Sequence, residues 1–485
     1  MSTFAETKTP PSSSKKKSKS KRNELSTRKK ESNKYLAPFQ SSDPNIKLTA
    51  TTALRSSVSG KIGAQNDAII LQVIKSGVVP YMISYLSNDN AMELQLEAAW
   101  VIANLSSNNN SDATNILIKA GVVSPLIKLL SSTRYSTTTT NEELIGQVIW
   151  ALANIAGDSW ASRDIVLRAN VILPLRRQMQ STENISLLRR GTWLLDNLTR
   201  AEPRTLLTEL NIREPILTTL TLLISNKDEE ILKNVCLTIG YLALGVNENI
   251  TDVIDSGIVM HLIPLLKHPN IDIQKPAARA LGNVVTGNST DTQICINCGA
   301  LPCLKQLLSS SSDQLLKDAC WAISNIAAGT IKQIEAVVNS DVIPTIIKMA
   351  LTSNYNIAKE CAWILSNVTC GSTQQIQYLI ECECSAGSCI LAMCNLLFIQ
   401  NDCVSVVLDG LLRILQHSDV PRKVGLHLVT SRKQIVQDIT NVNGLKKIKK
   451  LIKQKDIDIS KKAKHIVDTY FTDVIDACTC IAKSP

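Results

Sequence analysis

One pattern of apolar and polar positions recurs along the chain and predicts its helices. Apolar residues at helical spacing surround a Trp-x-x-x-Asn motif in EAAWVIANLSS (97–107), QVIWALANIAGD (147–158), RGTWLLDNLTR (190–200), DACWAISNIAAG (318–329) and ECAWILSNVTCG (360–371). Two variants, NVCLTIGYLALG (234–245) and PAARALGNVVTG (276–287), lie between the third and fourth of these segments. Apolar residues three and four apart predict an amphipathic helix in each segment.

The segments share one polar slot at a nearly constant interval. The slot holds Asn104, Asn154, Asn197, Tyr241, Asn283, Asn325 and Asn367, at steps of 50, 43, 44, 42, 42 and 42 residues. A weaker copy, LDGLLRILQ (408–416), places Arg413 in the slot after a further 46 residues. Five of the six tryptophans stand four residues before the slot, namely Trp100, Trp150, Trp193, Trp321 and Trp363. A period of this length indicates a repeat architecture.

A second motif precedes these helices by about 25 residues and divides each repeat into three helices. It consists of a small residue, apolar residues and a proline, as in SGVVP (76–80), ANVILP (169–174) and SDVIP (340–344). Gly or Asn ends one helix and Pro begins the next. Three helices in about 40–47 residues is the armadillo pattern. The sequence therefore predicts an all-α fold, a right-handed superhelical armadillo-repeat solenoid with eight recognisable units between about residues 70 and 418.

The two ends of the chain differ from the repeats in composition. Residues 1–40 are rich in Ser and Lys and carry 11 basic against 3 acidic residues, so we expect a disordered basic tail there. We expect the repeat array over 41–434, a degenerate capping repeat over 435–471 and a tail over 472–485. Between the basic ends, residues 41–440 carry 31 basic and 34 acidic residues, a net charge of −3.

The Trp and Asn of each motif lie one turn apart on the same helix face. A buried amide needs hydrogen-bond partners, so a repeated Asn favours a solvent-facing row, with core tryptophans as the alternative. Such amides can hold the backbone of an extended peptide, and indole rings can take the stems and charges of Lys or Arg. Acids at the slot ends would then select lysine, and Asp158, Asp196 and Glu360 are the candidates.

The sequence does not indicate enzymatic or cofactor chemistry. Phosphate-binding, dinucleotide-binding and nucleophile-elbow motifs are absent, so we expect no enzyme and no cofactor. Cys382, Cys384, Cys389 and Cys394 lack paired C-x-x-C spacing, and we expect core or loop thiols rather than a metal site. We expect no membrane insertion, because no apolar run is long enough. Direct nucleic-acid binding is not expected either, because no aromatic residues interleave the tail lysines.

The segments QVIWALANIAGD, DACWAISNIAAG, PAARALGNVVTG and AKHIVDTYF (463–471) resemble those of the importin-α family, and the likeness covers roughly residues 40–471. That family consists of nuclear import adaptors, and the resemblance implies two sites for lysine- and arginine-rich nuclear localisation signals. The implied larger site comprises Trp100, Asn104, Trp150, Asn154, Asp158, Trp193 and Asn197. The implied smaller site comprises Arg279, Asn283, Trp321, Ser324, Asn325, Glu360, Trp363 and Asn367.

Several positions depart from the family's pattern. Leu237 stands where the family usually has Trp, and Asn234 and Leu244 stand where acidic residues are expected. The 105–111 loop, LSSNNNS, replaces the family's turn of a small residue, Gly and Thr. Ser289 stands where a further acid is expected, with Asp291 close by. We therefore expect weaker binding than in typical members, with the smaller site better preserved.

The resemblance also implies partners. It implies that the N-terminal segment binds importin-β and folds back onto the groove when free, with a solvated basic tail as the alternative. The candidate residues in KKKSKSKRNELSTRKK (15–30) are Lys15, Lys16, Lys17, Lys19, Lys21, Arg22, Arg28, Lys29 and Lys30. Further implied partners are cargo proteins with basic signals and an export receptor at the C-terminal repeats. The implied location is the cytoplasm and the nucleus, with transient passage through nuclear pores.

The alternative function is a non-import armadillo scaffold that binds extended peptides of other partners. Grooves of such scaffolds favour acidic or mixed ligands and are commonly lined with Lys and Arg. The Trp/Asn series and the slightly acidic body favour the import adaptor over this alternative.

Overall fold

The computed structural model describes residues 36–59, 64–88, 91–107, 111–132, 139–200, 205–398, 403–418 and 430–472. The described residues are mostly helical, and one short antiparallel hairpin pairs Glu383–Cys384 with Gly387–Ser388. The chain divides into two compact units, residues 1–212 and 213–485. The basic tail residues predicted to bind importin-β, 15–30, lie outside the described residues, as does the C-terminal segment 473–485.

The first unit consists of successive helices in the order that the repeats predict. Its elements are α1 (Pro44–Val58), α2 (Ala64–Lys75), α3 (Val79–Leu86), α4 (Met92–Ser106), α5 (Ser111–Lys119), α6 (Val123–Ser131), α7 (Thr139–Asp158), α8 (Trp160–Arg168), α9 (Ile172–Gln180), α10 (Ile185–Arg200) and α11 (Thr205–Glu209).

The second unit continues the same succession and ends in the capping helices. Its elements are α12 (Arg213–Leu223), α13 (Glu229–Leu242), α14 (Asn247–Asp255), α15 (Val259–Leu262) with a 3-10 turn (Ile263–Lys267), α16 (Ile271–Val284), α17 (Ser289–Asn297), α18 (Ala300–Leu307), α19 (Asp313–Ala327), α20 (Ile331–Asn339), α21 (Ile343–Thr352), α22 (Tyr355–Val368), α23 (Thr373–Glu381), β1 (Glu383–Cys384), β2 (Gly387–Ser388), α24 (Cys389–Leu396), α25 (Val404–His417), α26 (Arg432–Asn441), α27 (Gly444–Leu451) and α28 (Ile457–Tyr470).

The sharp turn between the first and second helix of a repeat is made by a residue with positive φ. Gly, which has no Cβ, adopts this conformation readily, and Asn and Asp tolerate it. The residues at these turns are Gly77, Gly121, Asn170, Asn211, Gly257, Gly299, Asp341 and Asn443. A proline stands within the first three residues of α3, α6, α9, α18 and α21. The predicted turn chemistry is confirmed in both units.

The third helices of consecutive repeats pack side by side. In the first unit α1, α4, α7 and α10 form one such row, and in the second unit α13, α16, α19, α22, α25 and α28 form another. Their buried faces are aliphatic, as on α7, where Val148, Leu152 and Ile155 have no exposed surface. Burial of a side chain of this size contributes about 1.5–3 kcal/mol. The predicted all-α class is confirmed for the described residues, apart from the short hairpin.

Candidate peptide-binding face

The five tryptophans of the repeated motif lie at the surface of the third helices. Four of them are half-buried, and Trp363 is 36% exposed. The aliphatic residues of the same helices form the core instead. The larger site lies entirely on α4, α7 and α10 in the first unit, and the smaller site lies entirely on α16, α19 and α22 in the second. We call the surfaces that carry these residues the Trp/Asn faces.

The slot asparagines of the larger site bond to the preceding repeat. Nδ2 of Asn154 donates to the carbonyl oxygen of Ala103 at 3.0 Å, and Nδ2 of Asn197 donates to that of Ala153 at 2.9 Å. Nδ2 of Asn104 donates to Oγ of Ser59 at 2.8 Å. In the first two bonds the acceptor is the residue immediately before the slot in the previous repeat.

The smaller site repeats the arrangement. Asn283 donates to the carbonyl oxygen of Gly240 at 2.8 Å, Asn325 to that of Gly282 at 3.4 Å, and Asn367 to that of Ser324 at 3.0 Å. We call these side-chain-to-backbone bonds the Asn rungs. An amide has two N–H donors and an acceptor oxygen, so a rung uses only part of its capacity. The remaining groups of the half-buried Asn154, Asn325 and Asn367 can still meet a ligand.

Arginines of neighbouring helices already lie over three of the tryptophan rings. The guanidinium carbon of Arg55 is 4.4 Å from the ring centroid of Trp100, that of Arg190 is 5.7 Å from Trp150, and that of Arg279 is 5.5 Å from Trp321. These distances are those of cation–π contacts. The ring faces on the Trp/Asn faces therefore accept cations in this chain. Among the described residues, no cation stands over Trp193 or Trp363.

An acidic pair, Asp318 and Glu360, lies on the helices that carry Trp321 and Trp363. Asp318 is buried and forms a 2.6 Å ion pair with Arg279, while Gln314 donates to it at 2.9 Å. Burial raises the pKa of Asp318, and Gln314 and Arg279 partly oppose that shift. Burial also raises the pKa of Glu360, and Lys317 opposes it most strongly. Of the two carboxylates, Asp318 on α19 is buried and paired, whereas Glu360 on α22 is only half-buried.

The candidate acids of the larger site differ in exposure. Asp158, the last residue of α7, is half-buried and accepts a hydrogen bond from Ser162 at 3.3 Å. Asp196 is 4% exposed, because it lies on the buried side of α10 beside Asn197. Asp158 is therefore the acid of this site that a ligand side chain can reach.

The positions that depart from the family's pattern differ in exposure. Leu237 and Leu244 are half-buried and Asn234 is buried, all in or just after α13. Asp291 is buried, and its carboxylate accepts from Thr251 at 3.1 Å and from Asn288 at 2.8 Å. Because Asp291 is already paired, it does not take the place of the acid that Ser289 replaces.

A polar cavity at the end of the smaller site was missed by the sequence reasoning. It has a volume of about 440 Å³ and is lined by Val285, Thr286, Gly287, Ser289, Thr292, Asn325, Ala328, Gly329, Thr330 and Gln333. Most of these residues belong to the small-residue turns that follow Asn283 and Asn325 or to the first turn of the next helix, so the turns themselves were the available signal. Backbone groups and hydroxyls at such a turn can bind the ammonium group of a lysine.

The capping helices carry a second cavity, which is basic. Its volume is about 620 Å³, and it is lined by Thr440, Asn443, Leu445, Lys446, Lys449, Lys450 and Lys453. Nζ of Lys447 lies 4.9 Å from the ring centroid of the exposed Phe398 and donates to Asn395 at 2.6 Å. This surface has the opposite charge to the acidic pair of the smaller site.

The described residues show no group of three or more His, Cys, Asp or Glu side chains that could hold a metal ion. Cys389 and Cys394 are fully buried, Cys382 is nearly so, and Cys384 is half-buried. No single described helix has the length and apolar character to cross a membrane. Three pairs of consecutive helices have both when each pair is taken together, but each pair is bent by more than 40°.

Comparison with known protein families matches the repeats directly. The Armadillo/beta-catenin-like repeat model matches residues 66–107, 247–286, 288–328 and 330–370. The solved structure of an engineered protein covers 90% of this chain and 98% of its own, with a TM-score of 0.76 and 23% identity. The chain therefore has the armadillo-repeat fold.

The chain is homologous to importin subunit alpha proteins over about half its length. It is 37% identical to importin subunit alpha-1b of Oryza sativa subsp. japonica over 231 residues, which is 48% of this chain and 40% of that protein. It is 35% identical to importin subunit alpha-2 of Arabidopsis thaliana over 228 residues, which is 47% of this chain and 40% of that protein. The matches thus span well under half the length of these relatives, and none of the matched names describes an enzyme.

Proposed function

We propose that this chain is a nuclear import adaptor. It binds lysine- and arginine-rich nuclear localisation signals of cargo proteins along the Trp/Asn faces and links them to importin-β. The names of its relatives support the class of function, and the tryptophans and asparagines of the third helices support the mode of binding.

The contacts between arginines and tryptophan rings carry this proposal. Arg55, Arg190 and Arg279 reach across from neighbouring third helices and place their guanidinium groups over the indole faces. A Lys or Arg of an extended ligand would use the same geometry, with cation–π attraction of about 0.5–2 kcal/mol at each ring. The N–H and the oxygen that the rungs do not use on Asn154, Asn325 and Asn367 would bond to the ligand backbone.

The proposal is tested by titrating a fluorescent lysine-rich peptide into the full chain and into a chain that lacks residues 1–40. The same titration is made with the double variants Trp150→Ala/Asn154→Ala and Trp321→Ala/Asn325→Ala. Trp160→Ala is the matched control, because Trp160 is 59% exposed but stands outside the repeated motif. Circular dichroism of each variant separates lost binding from lost folding.

We expect micromolar or tighter binding that weakens with salt and with at least one double variant, while the Trp160 control binds like the wild type. Binding that is indifferent to both double variants would exclude this mode of recognition. A chain that ignores lysine-rich peptides but captures acidic ones would instead be a scaffold for other partners, and its basic capping surface would be the first place to look.

The link to importin-β rests on the basic residues between 15 and 30, which lie outside the described residues. Replacement of Lys15, Lys16 and Lys17 together by Gln should abolish capture by importin-β and leave peptide binding intact or tighter. An adaptor of this kind moves between cytoplasm and nucleus, so a fluorescent fusion should appear in both and should accumulate in the nucleus when export is blocked. An export receptor at the C-terminal repeats would then be required for its return.

A further inference from the structure

The three arginines that cover tryptophan rings differ in how their charge is balanced. Arg55 forms a 2.7 Å ion pair with Glu97, and Arg279 forms a 2.6 Å ion pair with Asp318. Within the described part of the chain, no carboxylate lies within ion-pair distance of Arg190. The positive charge at the Trp150 ring is therefore the one of the three that no direct ion pair neutralises.

A glycine one turn from Trp150 makes room for this arginine. Arg190 extends from α10 across α7, and its Nη1 lies 2.7 Å from the position that a Cβ on Gly146 would occupy. Gly146 is buried in the middle of α7, where no turn or positive φ requires a glycine. The absence of a side chain at Gly146 thus leaves a shallow depression on the surface of α7, and the Arg190 guanidinium occupies this depression beside Trp150.

The guanidinium stays charged in this position. Burial lowers the pKa of Arg190, and the negative charge of Glu143 opposes the shift. An arginine side chain keeps its proton at any physiological pH even so. A second cation brought to the same ring would meet repulsion from the first at a few ångströms and would have to displace it from the indole face.

We propose that Arg190 determines the specificity of the larger site by occupying the Trp150 face that a ligand Lys or Arg would otherwise take. The inference rests on the proposed function and deepens it, because it states which of the two sites a basic segment uses. A peptide with a single lysine cluster binds only the smaller site, where Arg279 is neutralised by Asp318 and Trp363 is open. The larger site accepts a segment that places an acidic or uncharged residue opposite Trp150, since a carboxylate would pair with the guanidinium.

The test is isothermal titration of the full chain with a peptide that has one lysine cluster, in the wild type and in Arg190→Gln. The wild type should bind one peptide per chain, and the variant should bind two, with the affinity of the new site raised about tenfold by removal of the competing cation. Gly146→Ala provides a second route, because its methyl group would push the flexible end of Arg190 off the ring without removing its charge. It should also open the second site.

Arg189→Gln is the matched control, because it removes the same charge from the exposed neighbouring residue. Equal gains in Arg189→Gln and Arg190→Gln would show a general effect of net charge and would overturn the inference. One peptide per chain in all variants, lost in Trp321→Ala/Asn325→Ala, would overturn it and leave the proposed function standing. Binding of two peptides per wild-type chain would also overturn the inference and leave the proposed function standing. No binding in any protein would overturn both.

Discussion

The side-chain amide of Asn367 donates to the backbone carbonyl oxygen of Ser324, 3.0 Å away and one repeat earlier in the chain. The same bond recurs in four other repeats at sequence separations of 43, 44 and 51 residues. A residue type proposed to hold a ligand thus also joins five of the third helices, α7, α10, α16, α19 and α22, to the one before it. Its substitution has consequences for stability that can be measured without any ligand.

Asn367→Ala should lower the free energy of unfolding by about 1 kcal/mol, because it removes one hydrogen bond of a partly buried group. Asn367→Asp should cost more, since both carboxylate oxygens are acceptors and would face the carbonyl oxygen of Ser324. Guanidinium unfolding followed by circular dichroism would establish the order wild type, Ala, Asp. An aspartate variant as stable as the wild type would mean that the rung contributes nothing.

Gly282→Ala should disturb the smaller site through Trp321. A Cβ at Gly282 would overlap Cζ3 of the Trp321 ring, so the ring must move or the helices must separate. Overpacking of this kind costs about 1–3 kcal/mol, and the displaced ring should weaken peptide binding as well. Thermal unfolding and the peptide titration measure the two effects.

Gly240 occupies the equivalent position one repeat earlier and supplies the control. A Cβ there would lie 3.6 Å from Ala280, an ordinary contact, so Gly240→Ala should be neutral or stabilising by about 0.5–1 kcal/mol through the better helix propensity of alanine. Equal destabilisation by both substitutions would mean that the position of the Trp321 ring does not matter.

Arg279→Gln should destabilise the fold most at neutral pH. Burial raises the pKa of Asp318 in the folded chain, so the contribution of this group is most favourable at low pH and is lost as pH rises through its folded pKa. Without Arg279 the folded pKa rises further, and the ionised carboxylate is left buried without its cation. The expected loss is about 1–3 kcal/mol near neutral pH.

The same variant should regain much of this loss in mild acid, where Asp318 and Glu360 take up protons. Unfolding of wild type and variant at about pH 7 and about pH 4 gives the difference directly. A deficit that stays constant or grows toward low pH would contradict the role of Arg279 as the counter-ion of Asp318.

The buried thiols should resist modification while the chain is folded. Burial raises the pKa values of Cys236, Cys295 and Cys394 to about 12, so their reactive thiolate is scarce at neutral pH. Cys370 is exposed just after the smaller site and should react first among the described cysteines. Mass spectrometry after brief alkylation would show this, with Cys370→Ser as the control and unfolded protein as the reference for full labelling.

The fold could be predicted from the sequence because its determinants repeat. The interval between slots predicted the third helices, and prolines with left-handed residues predicted the turns between the first and second helices. A solvent-facing row of tryptophans and asparagines was also predicted. Four of the five tryptophans are half-buried and Trp363 is exposed. The prediction was wrong for Asn104, Asn197 and Asn283, which are buried because each bonds to the preceding repeat. Periodicity suffices for the helices and the turns, since each of them depends on local spacing and on one buried face.

The contacts of the candidate site depended on neighbours that periodicity does not specify. The acceptor of the Asn154 rung is the carbonyl oxygen of Ala103, 51 residues earlier in the chain. The packing of the two helices brings the donor and this acceptor together, and the sequence of either helix alone does not specify that packing. Asp196 stands beside the slot of α10 in sequence, yet the turn of the helix directs it inward. Arg190 reaches Trp150 because Gly146 is small, a relation between two helices that no single segment encodes.

The donor and the acceptor of the Asn rungs come from the same motif, one residue apart, in consecutive repeats. A repeat that carries the full motif therefore supplies one of each, and its duplication or deletion as a whole would leave no rung unmatched. The number of such repeats can therefore change in evolution without new contacts between consecutive third helices. The spacing between the slot side chains of successive repeats would also stay constant, because each rung ends on a backbone carbonyl, whose position depends little on the side chains around it.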